Sequence, residues 1–223
     1  MNWLSRIRED IDTAMRRDPA ARSRAEVLLT YPGVHALILH RLAHRMDAAG
    51  LRLLARLLSH AARMLTGIEI HPRAQIGHEF FIDHGMGVVI GETTVIGDRC
   101  HVLQGVTLGG TSTRREKRHP TLEDDVTVGA GAQIIGAVTI GAGAKIGAGS
   151  VVVSSVPAGA TVVGVPGHVI AYTNRSNDTV ERLPDPEWDR IDALERRIAQ
   201  LEAQIAETQA DAARSGVSEG SAR

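Results

Sequence analysis

The sequence predicts three parts in order: an N-terminal α-helical domain, a parallel β-helix, and a C-terminal helix of coiled-coil character. Three observations predict this. Aliphatic residues recur every six positions through the middle of the chain. Aromatic residues are only 3% of the composition while glycines number 23, which suits a core of small side chains stacked in repeated layers. Apolar residues at both ends follow three- and four-residue steps, the spacing of a helix.

The N-terminal part, residues 1–67, reads as helical. Leu4, Ile7, Ile11, Ala14 and Met15 form one stripe, and Asp18-Pro19 breaks it. A second helix is expected from about Pro32 to Ala48, ended by Gly50. A third is expected from Leu51 to Leu65, ended by Gly67.

The middle, residues 68–171, carries the repeat. The series are Ile70, Ile76, Ile82; then Ile90, Ile96, Val102, Leu108; then Leu122, Val128, Ile134, Ile140, Ile146, Val152. All thirteen positions are Ile, Val or Leu, and glycine follows directly at seven of them. A period of six fits neither a helix nor a single alternating sheet. It fits a solenoid in which each hexad is one flat side and three hexads close a triangular coil. The following glycine is expected at the corner, where a side chain would crowd the backbone or φ turns positive. The phase breaks twice. Two extra residues lie between Ile82 and Ile90, at "DHGMGVV". A longer insertion between Leu108 and Leu122 carries "GGTSTRREKRHP". Solenoid insertions point outward, and these two hold the ionisable residues Asp83, His84, Arg114, Arg115, Lys117, Arg118 and His119.

Residues 172–187 read as a polar linker. Over 188–210, Ile191, Leu194, Ile198, Leu201 and Ile205 make an a/d seam, with Arg190 and Glu195, and Arg197 and Glu202, placed to pair across it. That seam suggests oligomerisation without giving a number. Residues 211–223 read as a disordered tail.

Composition narrows function. A formal net charge of −1 gives no reason to expect nucleic acid or an anionic membrane as partner. The single cysteine, Cys100, forbids an intrachain disulfide. "LRLLARLLSHAARMLTG" carries three arginines and a histidine, too polar for a bilayer span, and no signal-peptide core opens the chain. The expectation is a soluble, cytoplasmic protein.

The hexads resemble the left-handed β-helix of hexapeptide-repeat acyltransferases. "EIHPRAQIG" at 69–77, "FIDHGMGVVIGETTVIG" at 81–97, and "LQGVTLGGT" with "RHP" at 103–120 resemble serine O-acetyltransferases in particular, as does "RDPAARSRAEVLLTYPGVHAL" in the helical part. The resemblance alone supplies the hand, since parallel crossovers are ordinarily right-handed. It implies transfer of acetyl from acetyl-CoA to the hydroxyl of L-serine in cysteine biosynthesis. His84 matches the catalytic base, and Glu69 the carboxylate behind it, where many relatives have Asp. Asp18 and Asp83 match the acids facing the substrate ammonium. Arg118 and His119 match the residues holding its carboxylate. CoA would lie in a groove between two β-helices, along Gly109, Gly110, Ala130 and Ala148, with a backbone N–H near Gly110 on the oxyanion and Arg114, Arg115 and Lys117 toward the phosphates. The resemblance also implies trimers, possible pairing of trimers into hexamers, and feedback by cysteine. Relatives bind O-acetylserine sulfhydrylase through a C-terminal isoleucine; this chain ends "GSAR", which argues against that complex.

The residues fit this chemistry independently. A neutral imidazole is a good general base near neutral pH, and a zwitterionic acceptor needs both signs of charge in its site. Three rivals share some of the features. One is a hexapeptide acetyltransferase for homoserine, a sugar or an antibiotic. Another is a zinc-dependent β-helix hydratase using some of His71, His78, His84, His101 and His119, although no metal is expected. The last is a non-catalytic scaffold.

Overall fold

The computed structural model describes residues 3–174, 179–182 and 186–218. Four helices open the chain: α1 (Trp3–Arg17), α2 (Arg24–Thr30), α3 (Pro32–Ala48) and α4 (Arg52–Thr66). The α1 stripe buries Ile11 and Ala14, which pack with Val27, Val34 and Phe81. Its buried Asp10 is paired with Arg41 of α3. The short α2 was not expected from spacing. Ser23 caps it, accepting the Glu26 N–H at 3.2 Å, while Glu26 reaches back to the Arg22 N–H. Gly67 ends α4 at φ +72°, the left-handed cap that glycine supplies without strain.

The coil follows. Its first turn is β1 (Glu69–Ile70), β2 (Gln75–Ile76) and β3 (Phe81–Ile82). The second is β4 (Val89–Ile90), β5 (Val95–Ile96) and β6 (His101–Val102). The third is β7 (Thr107–Gly109), β8 (Thr121–Leu122) and β9 (Thr127–Val128), and the fourth β10 (Gln133–Ile135), β11 (Thr139–Ile140) and β12 (Lys145–Ile146). β13 (Val151–Val152) and β14 (Ala160–Val163) close it. The strands stack into three parallel sides: β1-β4-β7-β10-β13, then β2-β5-β8-β11, then β3-β6-β9-β12-β14. Each hexad aliphatic lies in register with its counterpart one coil away, as in Ile70↔Ile90↔Leu108↔Ile134↔Val152. All thirteen belong to one core, with Ile76 alone only partly buried.

The corner glycines serve for space rather than for φ. Gly77, Gly97 and Gly129 are absent from the positive-φ residues, but a Cβ on Gly129 would lie 2.6 Å from the Ala148 nitrogen of the next coil. The left-handed residue falls two places later. Gly105 and Gly131 take it at φ +72° and +69°, and Arg99 and Asp125 take it without being glycine.

Where a linker was expected after 171, β15 (His168–Asn174) runs antiparallel to β14, and β16 (Thr179–Arg182) pairs with β15. The elements α1 to β16 form one compact unit. A second unit contains α5 (Pro186–Ser218), which continues past the expected helix end at 210 into the expected tail. The final residues, 219–223, lie outside the described residues. On α5, the side chains of Ile191, Leu194, Ile198, Leu201 and Ile205 are all exposed in the single chain.

Candidate active site

Both sequence insertions emerge at corners of the coil, and the corners differ. His84 lies between β3 and β4, where the third side turns into the first. Arg118 and His119 lie between β7 and β8, where the first side turns into the second.

At the first corner His84 sits at the centre of a three-residue turn, with the Gly85 N–H donating to the Asp83 carbonyl at 2.6 Å. Its φ is +59°, a conformation that costs a non-glycine residue on the order of 1 kcal/mol. The turn throws the side chain outward, leaving it 75% exposed. The Asp83 carboxylate lies 4.0 Å from His84 Nε2. Asp18, at the end of α1, faces the same place. Its carboxylate accepts the Tyr31 hydroxyl at 2.5 Å and the Ala20 N–H at 2.7 Å. The Tyr31 bond, helped by Ala20 and by the nearby His84, holds Asp18 below the usual carboxylate range, and the same bond pushes Tyr31 up to about 12. This corner therefore gathers an exposed imidazole and two carboxylates.

Glu69 is not hydrogen-bonded to His84 among the described residues. It starts β1 and pairs with Arg63 of α4 at 2.9 Å.

At the other corner, Thr93 organises the basic loop. Its hydroxyl accepts the backbone N–H groups of Arg118 at 3.0 Å and His119 at 3.1 Å. Its own N–H donates to His119 Nδ1 at 3.2 Å, and its hydroxyl also lies 2.9 Å from that nitrogen. An Nδ1 that accepts a backbone N–H must carry the lone pair. The proton of neutral His119 is thus on Nε2, which makes Nε2 a donor. Burial, reinforced by Arg118, lowers the His119 pKa and keeps the ring neutral. Arg118 donates to Glu92 at 2.6 Å, and this bond is the main reason Glu92 is held below its usual range. Arg73 reaches the other Glu92 oxygen at 3.3 Å. A polar cavity of about 770 Å³ opens here between Arg52, Arg73, Glu92, Arg115 and Arg118.

The small residues divide between the corners. Ala130 and Ala148 follow β9 and β12, on the edge that carries His84. Gly109 ends β7 and Gly110 follows it, on the edge that carries Arg118. A Cβ on Gly110 would lie 3.1 Å from His119 Nε2. Among the described residues no group of three or more His, Cys, Asp or Glu side chains is arranged to hold a metal ion. No helix of the described residues is long and apolar enough to cross a membrane.

Residues 119–154 match the family model for bacterial transferase hexapeptide (six repeats). The chain is also 52% identical over 207 residues to the serine acetyltransferase of Bacillus pumilus, covering 92% of this chain and 95% of that one. The chain belongs to the serine acetyltransferase family. Two solved serine acetyltransferases extend the likeness to structure. The Neisseria gonorrhoeae protein in complex with serine superposes with a TM-score of 0.73 at 43% identity, over 76% of this chain and 69% of that one. A serine acetyltransferase in complex with CoA gives 0.72 at 40% identity, over 75% of this chain and 69% of that one. The β-helix has the left-handed coil of this family, against the ordinary right-handed preference.

Sequence alone assigns no role beside these corners to Tyr31 on Asp18 or to Thr93 under Arg118 and His119, and it names His101, whose Nε2 lies 3.7 Å from Asp83, only among candidate zinc ligands. Thr93 sits within the quoted "GETT" motif, but its partners are about 25 residues away. Only coil stacking brings them together.

Proposed function

We propose that the chain transfers acetyl from acetyl-CoA to L-serine by direct attack, with His84 as general base. Family membership supports the reaction, and the serine and CoA complexes of relatives support the two substrates. The observation that carries the residue assignment is the corner at which an exposed imidazole stands beside the carboxylates of Asp18 and Asp83. In this reading those carboxylates receive the serine ammonium, and His84 takes the hydroxyl proton as the oxygen bonds to the thioester carbon. The tetrahedral oxyanion takes a backbone N–H near Gly110. Collapse breaks the C–S bond, and the leaving thiolate regains the proton from the imidazolium, giving O-acetylserine and CoA. Glu69 is assigned to steady His84, exchanging Arg63 for the imidazole when the site is filled.

Arg118 and the Nε2–H of His119 are assigned to the serine carboxylate. They stand on a different corner from His84, so the complete site needs two copies, the His84 edge of one against the Arg118 edge of the next. That supports a homotrimer around three equivalent grooves. It also supports CoA lying in each groove, along Ala130 and Ala148 of one copy and Gly109 and Gly110 of the other. The open seam of α5 would pair with α5 of neighbouring copies. The location proposed is the cytoplasm, where serine and acetyl-CoA are both at hand.

The test is thiol release from acetyl-CoA by the purified chain with L-serine, homoserine or a galactoside as acceptor. Release is expected with L-serine far above the others; none with L-serine overturns the proposal.

A further inference from the structure

His101 is a titratable group that the reaction above does not use, and its position ties it to the acceptor site. It lies on β6, directly in register with Phe81 of β3, and its ring packs on the Phe81 ring with centroids 5.0 Å apart. The side chain is 20% exposed, and its Nε2 is buried without a hydrogen-bond partner. The charged group that this nitrogen faces is the Asp83 carboxylate, at 3.7 Å. Asp83 is therefore shared: one oxygen looks toward His84 and the other toward His101. From α1, the other element packed here, the charge that acts on His101 is Arg17, whose guanidinium donates to the Arg99 carbonyl at 3.0 Å. Asp18 follows Arg17 directly and is engaged by Tyr31.

A neutral His101 leaves Asp83 its full charge for a ligand. A protonated His101 is a cation buried beside that same carboxylate, the one ion-pair partner its ring has among the described residues. It would take Asp83 as its ion-pair partner, and it would repel any second cation brought there. We propose that His101 is a positioning residue of the acceptor site: its imidazolium competes with the substrate ammonium for Asp83, so acceptor binding carries a proton switch separate from the catalytic base. This rests on the assignment of Asp83 to the ammonium group.

The sign follows from linkage. Serine binds the form with His101 neutral, so bound serine must lower the His101 pKa, and loss of that form must weaken serine. Burial, first, and then Arg17 lower this pKa from 6.5, with Asp83 opposing them. The neutral form thus prevails at neutral pH, and the switch operates on the acid side.

The experiment measures kcat and kcat/KM for serine against pH in the native chain and in His101→Gln, and follows the His101 imidazole by NMR with and without serine. In the native chain kcat/KM for serine should fall with a limiting slope of two on its acid limb, one proton for His84 and one for His101. The slope of kcat, measured with serine saturating, should be one. In His101→Gln both slopes should be one. Saturating serine should move the His101 titration to lower pH. His101→Thr, which places the residue of the neighbouring strand position Thr127 at this site, should behave as His101→Gln does. A native slope of one for kcat/KM, a variant that keeps a slope of two, or a His101 titration unmoved by serine in a chain that acetylates serine overturns the inference and leaves the reaction standing. Failure to acetylate serine at any pH overturns the reaction, and this inference with it.

Discussion

His84 and Thr93 stand at opposite extremes of constraint. His84 touches little, so its removal should spare the fold and strike the reaction. His84→Ala is expected to lower kcat by roughly 10² to 10⁴, the usual contribution of a general base, with its melting temperature unchanged. Steady-state rates beside a thermal melt check both halves. Thr93 has the converse character, acting only through what it holds. Thr93→Val keeps the backbone donor to His119 but removes the hydroxyl that orders Arg118 and His119. It is expected to raise KM for serine roughly tenfold, about the worth of one lost hydrogen bond at a charged group, with less effect on KM for acetyl-CoA. Thr93→Ser should recover most of the loss. Equal rises in both KM values would mean that the loop had simply collapsed. Candidates for meeting substrate can be named from the chain because each carries its chemistry in its side chain. The roles of Thr93 and Tyr31, and the place of His101 beside Asp83, are not legible there, because they arise from neighbours brought near by coil stacking or helix docking.

At the scale of elements, the repeat was legible because a two-residue strand has only one inward position, and every coil must fill it with a similar volume. The reason for the glycine beside it was less legible. Spacing alone cannot separate a demand for positive φ from a demand for space, and the contacts favour space. Gly129→Ala should therefore cost stability at a corner with ordinary φ. An expected loss of about 2 kcal/mol is in the range of overpacking, read by denaturant unfolding. Residues 172–182 read as linker because they are polar and lack hexads; they hold the end of β15 and all of β16, antiparallel strands added to the coil's last turn. The helical layer adds a term in pH. His40 of α3 is buried, and burial depresses its pKa from 6.5 to about 3. The folded state thus refuses a proton that the unfolded chain accepts. Stability from this group is complete above pH 6.5 and is lost as pH falls toward 3. His40→Gln should flatten the dependence of melting temperature on pH over that window, and an unchanged dependence would assign acid sensitivity elsewhere.

For the whole molecule, the two corners set the logic of assembly. If His84 is the base and Arg118 part of the carboxylate clamp, as proposed, their places on different edges leave a lone chain without a complete site. Co-expressed His84→Ala and Arg118→Ala chains should regain activity that neither has separately, since mixed assemblies contain an edge pair with both residues intact. No recovery in verified mixed assemblies would mean that each chain completes its own site.

The scarcity of aromatic residues has a consequence for anyone watching this molecule unfold. Its two tryptophans are Trp3, stacked 4.9 Å from the Arg45 guanidinium on the helical layer, and Trp188, on α5. The coil itself contains none, so it is dark to tryptophan emission. A fluorescence melt follows the release of the first helix and the fate of the last one, while the solenoid between them can stand or fall unseen. Circular dichroism in the far ultraviolet is the signal that carries the coil.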